Sequence, residues 1–173
     1  MKRRGYVAPM TETPSVPAEL PAICDLAQWS SWVPAATARA TAPRLPGVYL
    51  AREGASGPLV YVGMAGERDG NGRHAPRGLW GRLGVYSSGK GAVSGLGEAV
   101  FDRALADSDW LAVRLEEVRA GRPKRAKDWA AQALARADVH LCWAITTDGA
   151  AARALERAVL DAVADRTVWN RAR

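Results

Sequence analysis

The sequence predicts an α+β fold: a small, mainly antiparallel sheet flanked by helices, preceded by a helical N-terminal extension. Three observations predict it. Residues 45–51 and 59–64 are apolar and β-prone, and a short link bearing Gly54 and Gly57 joins them, the pattern of an antiparallel hairpin. Residues 138–147 alternate, with Val139, Leu141, Trp143 and Ile145 on one face and His140, Cys142 and Ala144 on the other. Helical patterns occupy much of the chain between and beyond these strands.

Residues 1–43 read as an extension of the main domain, 44–173. Its first 16 residues hold Pro9, Pro14 and many polar groups, a flexible leader. Over 17–42, Leu20, Ile23, Leu26, Trp29 and Trp32 recur every third residue, which predicts one short amphipathic helix. Pro46 can only begin the first strand, because it lacks the N–H a ladder needs.

Residues 66–81 form a Gly-rich loop with Arg68, Arg73, His74 and Arg77. No GxxxxGK[ST] pattern is present, so it is not a P-loop. A short helix follows over 80–86. Ser94 then caps a helix to about 106, with Leu96, Val100 and Leu105 inside. Residues 110–118 fit a strand or a helix. Residues 119–127 carry Arg119, Arg122, Lys124, Arg125 and Lys127, and 124–137 is Ala-rich and helical. Asp148 caps a last helix over 149–165, whose core stripe is Leu155, Val159 and Val163.

The chain has 173 residues, a hydrophobic fraction of 48% and a net charge of +6. That length suits one domain with an extension. No apolar run approaches the ~18 residues that span a bilayer. The basic start, Met1 to Arg4, lacks a following apolar stretch, so a cytoplasmic protein is expected. Cys24 and Cys142 form no CxxC pair and the two histidines lack ligand spacing, which argues against zinc. Two reduced thiols is the simpler reading, one long-range disulfide the other. Arginine far outnumbers lysine, and its planar fork suits phosphate. A basic balance favours an anionic partner such as nucleic acid.

Gly47-Val48-Tyr49 and Tyr61-Val62-Gly63 resemble the two signature tripeptides of the GIY-YIG nuclease superfamily. Arg82 and Tyr86 supply an R-x-x-x-Y pattern after the hairpin, Glu156 lies on a late helix, and Asn170 follows near the end. The resemblance covers roughly residues 44–173. Each tripeptide alone is a weak signal; the ordered set is strong. Val replaces Ile in both, and both are β-branched. The span from Tyr61 to Arg82 is longer than in minimal members.

The resemblance implies a three-stranded sheet and a metal-dependent endonuclease acting on DNA, with RNA left open. It assigns Tyr49 to the attacking water and Tyr61 as a second phenol. A free phenol has a pKa of about 10, so a nearby Arg82 and a metal would be needed to favour its ionised form. Arg82 and Tyr86 would bind the scissile phosphate. Glu156 would hold one Mg²⁺ or Mn²⁺, and Asn170 would brace the site. Gly63, Arg73, Arg77, Lys90, Lys124 and Arg125 are candidates for nucleic-acid contact. Taken singly, each site residue has an ordinary structural explanation; the nuclease reading rests on their joint order. The alternative is a non-catalytic nucleic-acid binding module on the same fold. One site per chain would nick, so cutting both strands needs a homodimer or a second visit, and specificity needs the 64–81 loop, the basic run, the N-terminal extension or a partner.

Overall fold

The computed structural model describes residues 20–66, 77–93 and 95–171. The leader 1–16, Arg68, Arg73, His74, Ser94 and most of the Gly-rich loop lie outside them. The elements are α1 (Pro21–Cys24), β1 (Val33–Pro34), α2 (Ala35–Thr41), β2 (Gly47–Glu53), β3 (Leu59–Ala65), α3 (Gly78–Ser87), α4 (Gly95–Ala106), α5 (Ser108–Arg119), α6 (Ala126–Arg136), β4 (Val139–Ile145) and α7 (Gly149–Ala162). All pairings are antiparallel, and the sheet order is β1-β4-β2-β3.

The sheet therefore has four strands, not three. The fourth, β1, is two residues long and comes from the N-terminal extension, with Val33 opposite Leu141. It sits at the sheet edge, the place where Pro34, which has no N–H to donate, is tolerated. The single helix expected over 17–42 is instead two short helices separated by extended chain. Pro21 starts α1 and Pro34 immediately precedes α2, and proline disfavours helical geometry in the residue before it. The extended stretch docks on β4: the Ser30 N–H donates to the Trp143 carbonyl at 2.8 Å, and the Trp143 N–H donates to the Ser30 hydroxyl at 3.0 Å. Trp29 is buried, its indole N–H donating to the Ile23 carbonyl.

Residues 108–119 are a helix. Asp107 caps it, accepting the Trp110 N–H at 2.8 Å. The alternation of Leu111, Val113 and Leu115 carried no strand signal because none of the three faces a core; all are exposed, and Trp110 alone is buried. On α4 the inward residues are Leu96, Ala99, Val100 and Ala104, and Leu105 points outward, one helical step off the expected stripe. Ile145, at the end of β4, is likewise exposed. Asp148 caps α7 as its sequence position implies, accepting the Ala151 N–H at 2.8 Å. Leu155 is partly buried, while Val159 and Val163 are fully so.

The sheet separates two cores. On one face Tyr49, Ala51, Tyr61, Leu141 and Trp143 pack with Ala38 of α2, Leu79 and Leu83 of α3, and Leu96 and Val100 of α4. On the other, Val48, Leu50, Val62 and Cys142 pack with Ile23 of α1 and Val159 of α7. No disulfide joins Cys24 to Cys142; burial pushes the Cys142 thiol well up. No described helix is long and apolar enough to cross a membrane.

The outer edge of β3 is closed by the end of the chain. The Trp169 N–H donates to the Val60 carbonyl at 2.6 Å. The Asn170 amide then grips one residue at both ends: its Nδ2 donates to the Val62 carbonyl at 2.7 Å, and its Oδ1 accepts the Val62 N–H at 3.0 Å. Asn170→Ala strands both backbone groups, so a loss of about 1–3 kcal/mol is expected in urea unfolding. Asn170→Asp retains the acceptor but presents no donor to the carbonyl and should be no better. An unchanged midpoint in the alanine variant would mean that this grip contributes nothing.

Candidate functional site

The β2–β3 register sets the site. Tyr49 lies opposite Gly63 and Ala51 opposite Tyr61, so both phenol rings rise from the same face on a diagonal. Their centroids are 6.2 Å apart and nearly parallel, at 23°. Tyr86 of α3 adds a third ring 6.0 Å from Tyr49. The hydroxyls of Tyr49 and Tyr86 hydrogen-bond at 2.5 Å. Arg82 and the Leu96 N–H also act on the Tyr86 hydroxyl, each favouring its charged form. Arg82, one turn earlier on α3, is exposed. The first turn of α4 closes over the group: a methyl placed on Gly95 would lie 3.0 Å from the Tyr86 hydroxyl and 3.1 Å from that of Tyr61.

Gly63 has a role that its residue type hides. A Cβ there would stand 2.4 Å from the Tyr49 hydroxyl and 2.5 Å from Cζ. The tyrosine ring lies across the glycine backbone, which is buried beneath it and removed from the nucleic-acid contact expected of it.

Electrostatically Tyr49 and Tyr86 differ from a ready base. Burial is the main cause that holds Tyr49 well above the usual phenol range, with Tyr86 and Tyr61 adding to it; Arg82 opposes them and has the smallest influence. Tyr86 is also raised by burial, though its hydrogen bonds to Tyr49, Arg82 and Leu96 and the Arg82 charge pull it back. The Arg82 charge by itself does not offset the burial of Tyr49, because exclusion of water costs the charged form more than one exposed guanidinium returns. This raised pKa ties stability to pH. As pH climbs past about 10, the unfolded chain loses the Tyr49 proton first, so stability is full below that point and falls above it. The urea midpoint should drop between pH 9 and pH 11, and Tyr49→Phe should flatten that drop. An equal drop in both proteins would assign it to other groups.

Glu156 is the one buried charged residue among the described residues, 7% exposed. It lies on the stripe of α7 that includes Ala152 and Val159 and packs on the sheet face opposite the tyrosine rings. Tyr49, Tyr61, Arg82 and Tyr86 are thus brought together on one face, while Glu156 belongs to a helix on the other. The two faces meet at the β3 edge, where Val168 packs into one core, Trp169 into the other, and Asn170 holds Val62.

The remaining candidates are dispersed. Arg77 is exposed at the start of α3, and Lys90 is exposed just past its end. Lys124 pairs with Glu117 at 2.8 Å, which compensates its charge. Arg125 precedes α6 and is exposed. Arg73 lies outside the described residues. His140 is largely buried, its Nδ1 3.3 Å from the Asp138 carbonyl. Gly95 and the Leu96 N–H belong to the site but were not foreseen; Leu96 read only as a core residue, and no local pattern shows which residue caps a distant phenol.

Among the described residues no group of three or more His, Cys, Asp or Glu is arranged to hold a metal ion. Glu156 by itself is a donor that Mg²⁺ accepts, since that ion binds through one or two carboxylates and keeps several waters. Comparison with protein-family models, with curated proteins and with solved structures gives no match.

Proposed function

We propose that this chain is a GIY-YIG-type endonuclease that hydrolyses phosphodiester bonds in DNA. The observation that carries the reading is the convergence of Tyr49, Tyr61 and Tyr86 under the exposed guanidinium of Arg82. The motif resemblance and the basic balance of the chain support it from the sequence side.

In this reading Arg82 receives the scissile phosphate with its donor fork and offsets the charge that grows on the phosphorus oxygens in the transition state. Tyr86, hydrogen-bonded to Tyr49, stands beside that phosphate. Tyr49 remains protonated and acts as a positioning residue. The attacking water is oriented by Tyr61, which at 9% exposed is the most open of the three phenols, against 2% for the other two. The role passes from Tyr49 to Tyr61 because Tyr49 is sealed beneath its neighbours. By the resemblance Glu156 would hold one Mg²⁺ or Mn²⁺, which when bound would supply charge stabilisation. Because its helix packs behind the sheet from the rings, a phosphate that met both this metal and Arg82 would have to lie at the β3 edge where the two faces meet.

Burial of Tyr49 and Tyr86 favours a second reading, a binding module on the same fold that does not cut. Supercoiled plasmid incubated with Mg²⁺ or Mn²⁺ separates the two. The nuclease reading expects nicked circles with the native chain and none above background with Glu156→Gln, which keeps the buried shape. Plasmid shifted in a gel yet uncut with either metal would select the binding module. Plasmid neither cut nor shifted would sink both.

A further inference from the structure

Two stretches of this sequence, residues 26–52 and 77–97, contain no aspartate or glutamate. The fold brings them together. The Trp80 N–H donates to the Pro43 carbonyl at 2.8 Å and the Leu79 N–H to that of Leu45 at 2.9 Å, so the segment around Arg44 lies on the first turn of α3. Arg39 of α2 crosses α3 at Gly84, where an added methyl would be 2.7 Å from its Cδ. Both guanidinium groups stack on Trp80, Arg44 at 3.7 Å and Arg39 at 4.2 Å from the ring centre.

The pairing of exposed cations differs between this face and the rest of the molecule. On the α5–α6 side Arg119 pairs with Glu116, Lys124 with Glu117, and Arg136 with Asp107. Among the described residues no carboxylate pairs with Arg39, Arg44, Arg77 or Arg82. Arg39 and Arg44 share the Trp80 side of α3, Arg77 precedes its first turn, and Arg82 lies about half a turn around it; together with the acid-free segments they form a positive field that attracts a polyanion. Stacking on Trp80 also holds two of them before any ligand arrives, so less side-chain freedom is lost on binding.

We infer that the α2–α3 face is a phosphate track, on which Arg39 and Arg44 each bind a backbone phosphate of the nucleic-acid strand that enters the Arg82 cluster. The inference rests on the nuclease reading and extends it, making the N-terminal segment part of the substrate surface. Arg77 immediately precedes α3 and Arg82 lies on it, so a strand that passes from Trp80 to the phenols winds about half a turn around this helix.

The test measures binding of a fluorescein-labelled 20-base-pair duplex by anisotropy over a salt series, with EDTA present to prevent cutting. Arg39→Gln with Arg44→Gln removes both charges and keeps enough stem to cover Gly84 and Trp80; thermal melting verifies the fold. Arg119→Ala with Arg122→Ala removes the same charge from the α5 side as the control. In the glutamine pair the salt slope is expected to fall by about 0.9 for each phosphate that is no longer neutralised, with little change in the control. Equal slopes in all three proteins, while the native chain still cuts plasmid, overturn the track and leave the nuclease reading standing. Equal reductions in both variants show general attraction without a track and also overturn it. Competition by vesicles of anionic lipid as effective as competition by unlabelled duplex would assign the face to a membrane surface and reject the inference. A native chain that neither binds duplex nor cuts it sinks the inference together with the reading beneath it.

Discussion

Arg82→Ala is expected to lower the plasmid-nicking rate by about 100- to 1,000-fold, the usual cost of losing one donor aimed at transition-state charge. Arg82 is exposed, so truncation leaves the core intact and the melting temperature should hold. Its charge acts on the Tyr86 hydroxyl, which keeps its hydrogen bond to Tyr49 after the change. The effect should therefore appear in kcat more than in KM, because the guanidinium is asked to meet charge that develops only as the phosphate is attacked. Arg82→Lys restores the charge without the planar fork and should recover part of the rate. A drop of less than about threefold in the alanine variant, against the donor effect just described, would remove Arg82 from the mechanism.

The second large effect concerns stability. Gly47→Ala is expected to be among the most damaging single substitutions in the chain. Its Cβ would stand 2.2 Å from the Ala144 carbonyl oxygen and 2.8 Å from the Leu79 side chain. The carbonyl belongs to β4, paired with β2 along seven residues, so neither strand can move alone. Overpacking a core typically costs about 1–3 kcal/mol, and a clash with backbone belongs at the top of that range or above it. Gly63→Ala meets the Tyr49 ring, which can give a little, and should cost less. Its distinguishing sign is coupling: adding Tyr49→Leu should return part of the stability, whereas the same addition to Gly47→Ala should not. Urea unfolding of the double-mutant cycle decides it. Strict additivity between Gly63→Ala and Tyr49→Leu would mean that the ring does not need the glycine. Within the two tripeptides the glycines are thus explained by packing, one against a neighbouring strand and one beneath a phenol.

Much of the local structure was legible in the chain. The hairpin follows from two apolar runs and the Gly54–Gly57 link, and the Tyr49–Tyr61 proximity follows from pairing two strands whose side chains alternate. The cap at Asp148 and the Val159–Val163 stripe of α7 also follow from short-range rules. Residues 110–118 were ambiguous for a physical reason: the periodicity of a segment identifies an element only when one of its faces is buried, and α5 buries little beyond Trp110.

The composition and the order of residues by themselves determined the set of groups available: three phenols, an arginine one helical turn before the third, a late glutamate and a terminal asparagine. They also determined where strands and most helices begin, because propensity, periodicity and capping act over a few residues. Tertiary structure alone decided how those groups stand to one another and how they ionise. It added β1 to the sheet, bound Asn170 to Val62 across 108 residues of sequence, and put Glu156 on a helix behind the sheet from the rings. It also sealed Tyr49 from water, which raises its pKa despite Arg82. Each of these depends on solvent exclusion and on the meeting of distant segments, which no local pattern in the chain encodes.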